Sequence, residues 1–123
     1  MPNDLEAPDY SLRYEKEIRG DTLLFLCRGG FSLANHAFLD RILNEIKEAP
    51  QRKIALDLGG IRYLDSVGMG TIAAILKHTM AHSVDFALVT NPIVNKLLCT
   101  SGLDRVIRVT QSLEEALGSE AVT

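Results

Sequence analysis

The run Ile54-Ala55-Leu56-Asp57-Leu58 is short and apolar on both of its alternating faces. That is the pattern of a strand held in the middle of a parallel sheet, covered above and below. Residues 22–28 and 84–90 read as further buried strands, and the segments between these runs carry apolar residues at helical spacing. Strand, helix and strand therefore alternate along the chain, and this order leaves few folds open. It predicts an α/β layer with a mostly parallel, mixed sheet, the helices burying one stripe each and facing water with the other.

The elements follow from local signals. Residues 10–19 alternate loosely through Leu12, Tyr14 and Ile18, and Gly20-Asp21 then makes a two-residue break, so an antiparallel hairpin with an edge strand is expected. Gly29-Gly30 is expected to end the second strand, and Ser32 to cap a helix with Phe38, Leu39, Ile42, Leu43 and Ile46 inward and Pro50 as its stop. Residues 59–65 read as a loop. A second helix is predicted from about Val67 to Ala81, with Ile72, Ile75, Leu76 and Met80 on its inner stripe. Asn91-Pro92 opens a third helix with Ile93, Val94, Leu97 and Leu98, which Gly102 stops. A last strand over 106–109 leads to a short helix whose capping box is Ser112 and Glu115.

With 123 residues the chain is expected to form one domain, over 10–118, between polar tails at 1–9 and 119–123. The first nine residues hold Pro2, Asp4, Glu6, Pro8 and Asp9 without an apolar core, unlike a signal peptide. Apolar runs such as Leu23 to Cys27 are far shorter than a membrane span. Thirteen basic and sixteen acidic residues are interspersed, for a net charge of −3, so no basic stripe points to nucleic acid. Cys27 and Cys99 lie far apart, fit no metal-binding spacing, and read as buried thiols of a cytoplasmic protein.

Chemistry concentrates in Leu64-Asp65-Ser66-Val67-Gly68-Met69-Gly70. Gly68 to Ala73 matches G-x-G-x-x-A, yet the first glycine does not follow the strand directly, and the acid expected at the end of the next strand is missing. A phosphoacceptor aspartate at Asp57 or Asp65 would need an acidic pair for Mg²⁺ and a lysine near the last strands; neither is present. His78 and His82 stand four apart without a third ligand, and Ser66 lacks the G-x-S-x-G context of a hydrolase. Two readings of Ser66 remain open. It caps the helix, or it is a hydroxyl modified by another protein that docks against Gly68, Met69 and Gly70.

Residues Ile54 to Gly70 resemble the signature of the STAS domain, as in bacterial anti-sigma factor antagonists: roughly hydrophobic-D-L-s-x-V-x-F-[IM]-D-S-[ST]-G-L-G. Asn91-Pro92, Leu97-Leu98, Ser101-Gly102-Leu103-Asp104 and Ser112-x-x-Glu115-Ala116-Leu117 resemble the family's second half. The resemblance implies a STAS-like mixed sheet with helices mainly on one face, no enzymatic activity, no cofactor and no metal. It implies Ser66 as the phosphoacceptor of an anti-sigma factor that is a serine kinase of GHKL type, with a phosphatase to reverse the modification. Ser32, Asn35, Asp65, Val67, Gly68, Met69 and Gly70 are the implied docking residues. The alternative within the family is a STAS subunit of a lipid-transport ABC system, or a signalling scaffold, with no phosphate cycle. Two positions depart from the pattern: Val67 replaces the second Ser or Thr, and Ser32 stands where the family often carries a partner-contacting Asp.

Overall fold

The computed structural model describes residues 10–117. The tails expected over 1–9 and 119–123, and the domain boundary after 118, lie outside the described residues. Five strands and four helices follow one another as β1 (Arg13–Arg19), β2 (Thr22–Phe31), α1 (His36–Glu48), β3 (Lys53–Leu64), α2 (Ser66–Ala81), β4 (Asp85–Val89), α3 (Pro92–Ser101), β5 (Arg108–Thr110) and α4 (Leu113–Leu117). Single 3₁₀ turns at Leu33–Asn35 and Leu103–Arg105 precede α1 and β5.

The sheet runs β1-β2-β3-β4-β5, antiparallel between β1 and β2 and parallel thereafter. Arg19 pairs with Thr22 across Gly20-Asp21, and Gly20 takes a φ of 58°, which glycine accepts without strain. Leu23, Ile54 and Phe86 lie side by side, as do Phe25, Leu56 and Leu88. These rows pack against Leu39, Ile42, Ile72, Ile75, Val94 and Leu98, so α1, α2 and α3 cover one face. Among the described helices α4 packs on the other, where Ala116 and Leu113 meet Ala87 and Val89. The mixed sheet with helices mainly on one face is the architecture expected from the sequence.

Several local expectations are corrected. Gly29-Gly30 does not end β2, and 59–65 is not a loop: the strands stay paired through Arg28 with Gly60, Gly29 with Ile61, Gly30 with Tyr63 and Phe31 with Leu64. Two register shifts accompany this extension, and Gly29 has a φ of 99°. The glycines therefore accommodate bulges instead of terminating the sheet. Ser32 makes no side-chain cap; the 3₁₀ turn comes first and α1 begins at His36. On α2 the buried stripe passes through Thr79, whose hydroxyl donates to the Leu76 carbonyl at 2.9 Å, and Met80 is 68% exposed. Ile93 and Leu97 of α3 are exposed while Val94 and Leu98 are buried. Cys27 is buried as expected, but Cys99 is exposed, and both are free thiols.

Candidate functional site

The site lies where β3 hands over to α2. Leu64 is the last residue of β3 and Ser66 the first of α2, so one residue, Asp65, makes the turn. Asp65 caps the helix: its Oδ1 accepts the backbone N–H of Val67 and of Gly68, each at 3.0 Å. Its Oδ2 accepts the N–H of Leu33 at 3.0 Å, which ties the turn before α1 to the start of α2. Desolvation raises the pKa of this carboxyl, but the N–H donors of Leu33, Gly68 and Val67 outweigh it, and the net shift is downward from 3.8. The cap expected of Ser66 belongs to its neighbour.

Freed of that task, Ser66 is exposed in the first helical turn. Gly70, four residues on and hence on the same helical face, is also exposed, and a Cβ built there meets nothing within 4 Å. Gly68 is buried. A Cβ on it would overlap the Phe31 carbonyl oxygen and reach 2.7 Å from Leu64 Cδ1, so this glycine lets α2 settle against the end of β2. Val67 and Met69 are half-buried and pack on the core.

The remaining two residues expected at the surface are buried. Ser32 is 3% exposed and Asn35 9%. Asn35 ties down the entry to β1: its Nδ2 donates to the carbonyls of Tyr10 at 2.9 Å and Gly30 at 2.8 Å, and its Oδ1 accepts the Leu12 N–H at 3.2 Å. Leu33, 60% exposed and bonded to Asp65, stands beside the site instead. Its place could be read only from the hydrogen bond that spans the two helix starts, for which the sequence carries no local signal.

Other chemistry finds little footing here. The His78 and His82 rings are tilted at 32° with centroids 4.3 Å apart, and among the described residues no group of His, Cys, Asp and Glu side chains could hold a metal ion. A cavity of about 630 Å³ lies at the carboxyl end of β4, beside the middle of β3, lined by Asp57, Thr90, Asn91, Asn95, Gln111 and Ser112 among others, and Ser66 is not part of it. Among the described residues, no helix is long and apolar enough to cross a membrane.

Comparison with known proteins bears on the family and the fold. The family model described as the STAS domain matches residues 13–116. A protein of Thermotoga neapolitana, named as a homologue of an anti-sigma factor antagonist, is 32% identical over 83 residues, covering 67% of this chain and 74% of its own. A Thermotoga maritima protein named anti-sigma factor antagonist is 28% identical over 103 residues, covering 82% and 91%. The crystal structure of an anti-sigma factor antagonist from Mycobacterium paratuberculosis superposes with a TM-score of 0.81 at 21% identity, over 90% of this chain and 94% of that one.

Proposed function

The chain belongs to the STAS domain family, and from that footing we propose that it is an anti-sigma factor antagonist switched by phosphorylation of Ser66. Its partner is an anti-sigma factor that is also a serine kinase of GHKL type. Unmodified, the domain binds that partner and frees a sigma factor; the phosphoserine breaks the complex, and a phosphatase restores it.

The observation that carries this reading is the division of labour between adjacent residues. Asp65 holds the helix end through the N–H groups of Val67 and Gly68, and the turn before α1 through that of Leu33, which leaves Ser66 exposed without a structural task of its own. A phosphate at the first helical position adds about −1.5 to −2 charges at the positive end of the helix dipole, so the fold tolerates it. A closed interface does not, because the new charge beside Asp65 must be desolvated or repelled. Leu33, bonded to Asp65, supplies an apolar contact, and Gly70, one helical turn beyond Ser66, a close backbone approach. Ser32, where the family often carries an acid, is buried, so the partner meets Leu33 in place of a carboxylate.

The test is incubation with the cognate kinase and ATP, followed by intact-mass measurement of wild type and Ser66→Ala. One phosphate on wild type and none on the variant is the expected result. Ser66→Glu is expected to bind the kinase several hundredfold more weakly, a loss of about 3–4 kcal/mol. Equal phosphorylation of wild type and Ser66→Ala, or undiminished binding by Ser66→Glu, would overturn the proposal.

A further inference from the structure

Exposed apolar side chains scattered singly over a surface call for no explanation, but Tyr10 and Tyr63 meet. Their rings stack with centroids 5.2 Å apart and planes 27° from parallel, yet the two residues remain 37% and 44% exposed. The backbone builds this pair. Gly30 is the partner of Tyr63 across β2 and β3, and a Cβ on it would overlap the Tyr10 carbonyl oxygen and stand 3.0 Å from Tyr10 Cβ. Tyr10 therefore lies over a strand position without a side chain, where its carbonyl accepts the Asn35 Nδ2 donor at 2.9 Å. Two large rings are held at the surface by contacts that do not bury them.

The pair stands close to Ser66. Tyr63 comes three residues before it, a stretch that spans at most about 10 Å even when fully extended. A standard interface covers about 800 Å² of each partner, a disc of about 16 Å radius. A partner that closes centrally over Ser66 therefore has Tyr63 within its footprint. Tyr63 and Leu64 alternate at the end of β3, and Leu64 joins the core, so the Tyr63 ring leaves from the sheet face away from α1, α2 and α3. Leu33, whose N–H is bonded to Asp65, lies with the helix starts. Apolar surface thus flanks the end of the sheet on both sides, Leu33 on one and the two rings on the other.

We propose that the Tyr10–Tyr63 stack is a second anchor for the anti-sigma factor kinase, which grips the end of the sheet from both faces. This rests on the partner-switching function proposed for Ser66 and adds to it how far the partner must reach. Tyrosine is among the residues that dominate interfaces, since a ring fixed by two torsions gains much contact area. Here each ring already restrains the other, so little ordering is left to offset that gain on binding. The kinase surface that meets them is apolar and packs on the rings, with no need of the Tyr63 hydroxyl.

The experiment titrates the cognate kinase, loaded with a non-hydrolysable ATP analogue, with the full chain by calorimetry, and counts phosphates on each variant by intact mass after incubation with ATP. Tyr63→Ala is expected to weaken binding about thirtyfold, and Tyr10→Ala, which leaves the Tyr63 ring without its neighbour, about threefold. Tyr63→Phe keeps the ring and is expected to bind as wild type. Met80→Ala removes another exposed apolar side chain, about 21 Å along α2 from Ser66, and is also expected to bind as wild type. The Leu33 and Gly68 amides, both bonded to Asp65, report whether the site keeps its structure, and their NMR shifts are expected to stay in place in Tyr63→Ala. Undiminished binding by Tyr63→Ala, a loss that Met80→Ala shares, or a loss accompanied by displaced Leu33 and Gly68 amides would overturn this proposal alone, while wild type still binds and is phosphorylated. A wild type that neither binds nor takes up phosphate would overturn it together with the function it rests on.

Discussion

The Asp65 carboxylate and the Leu33 amide meet at 3.0 Å, joining the starts of two helices that are 32 residues apart in the chain. The same carboxylate closes the first turn of α2 through Val67 and Gly68. One acidic side chain therefore satisfies backbone donors in two places at once, and its removal is felt in both.

Replacing it with alanine is expected to cost about 1–2 kcal/mol in urea unfolding, and Asp65→Asn less, since asparagine also caps helices. The acid limb of stability carries a second signature. The folded pKa of Asp65 lies below its ordinary 3.8 because the N–H donors of Leu33, Gly68 and Val67 overcome the opposing desolvation. A depressed carboxylate stabilises the fold above the unfolded value and loses that contribution as pH falls through the folded value. Unfolding curves collected downward from pH 5 are expected to show a shallower decline in Asp65→Asn than in wild type; identical slopes would contradict the assignment.

Gly68 and Gly70 look alike in sequence and are expected to respond in opposite directions. Gly68→Ala drives a methyl into the Phe31 carbonyl and is expected to destabilise by about 2–3 kcal/mol. Gly70→Ala meets open space in a helix and is expected to stabilise by about 0.5–1 kcal/mol. Thermal melts of the two variants decide the matter, and a loss of stability in Gly70→Ala would refute the open-space geometry.

Asn35 is expected to tolerate neither alanine nor aspartate. Aspartate is the sharper probe, because it turns the Nδ2 donor into an acceptor facing the carbonyls of Tyr10 and Gly30. A loss of about 2 kcal/mol or more, with faster amide exchange at Leu12, is the expected outcome.

The thiols offer a count. Burial, helped by the charge of Asp57, pushes the Cys27 thiol far up, whereas Cys99 is exposed and is raised by its hydrogen bond with Asp104, then desolvation, then the charge of that carboxylate. One thiol is expected to react with a bulky disulfide reagent in the native protein, faster as pH rises, and the second only after denaturation. Modification of both at native pH would place Cys27 at the surface.

Signals contained within a few residues proved sufficient for much of the fold. The Gly20-Asp21 hairpin is one, and the third helix start is another, where Asn91 accepts the Val94 N–H at 2.8 Å after its proline-flanked turn. The Ser112–Glu115 box also forms, with Glu115 N–H donating to Ser112 Oγ at 3.2 Å. What local reading missed depends on distant partners. Paired glycines mark a strand end in isolation, but beside a parallel neighbour Gly29 and Gly60 become bulge positions within a longer ladder. Asp65 and Ser66 are both good caps, and the choice between them is aided by the Leu33 amide, which is remote in the chain. Gly68 reads as a surface residue in sequence because its constraint, the Phe31 carbonyl, comes from the end of another strand. Ser32 and Asn35, expected at the surface, are buried at a 3₁₀ turn that precedes α1, where Asn35 bonds to the distant backbone of Tyr10, Leu12 and Gly30.

β3 stays hydrogen-bonded as far as Leu64, immediately before the capping acid. Residue 66 thus sits on a pedestal without a hinge: no slack segment beneath it can swing, stretch or reorder when its side chain is altered. The phosphate proposed for Ser66 would therefore change the surface charge on an otherwise unchanged outline, to be sensed by contact alone.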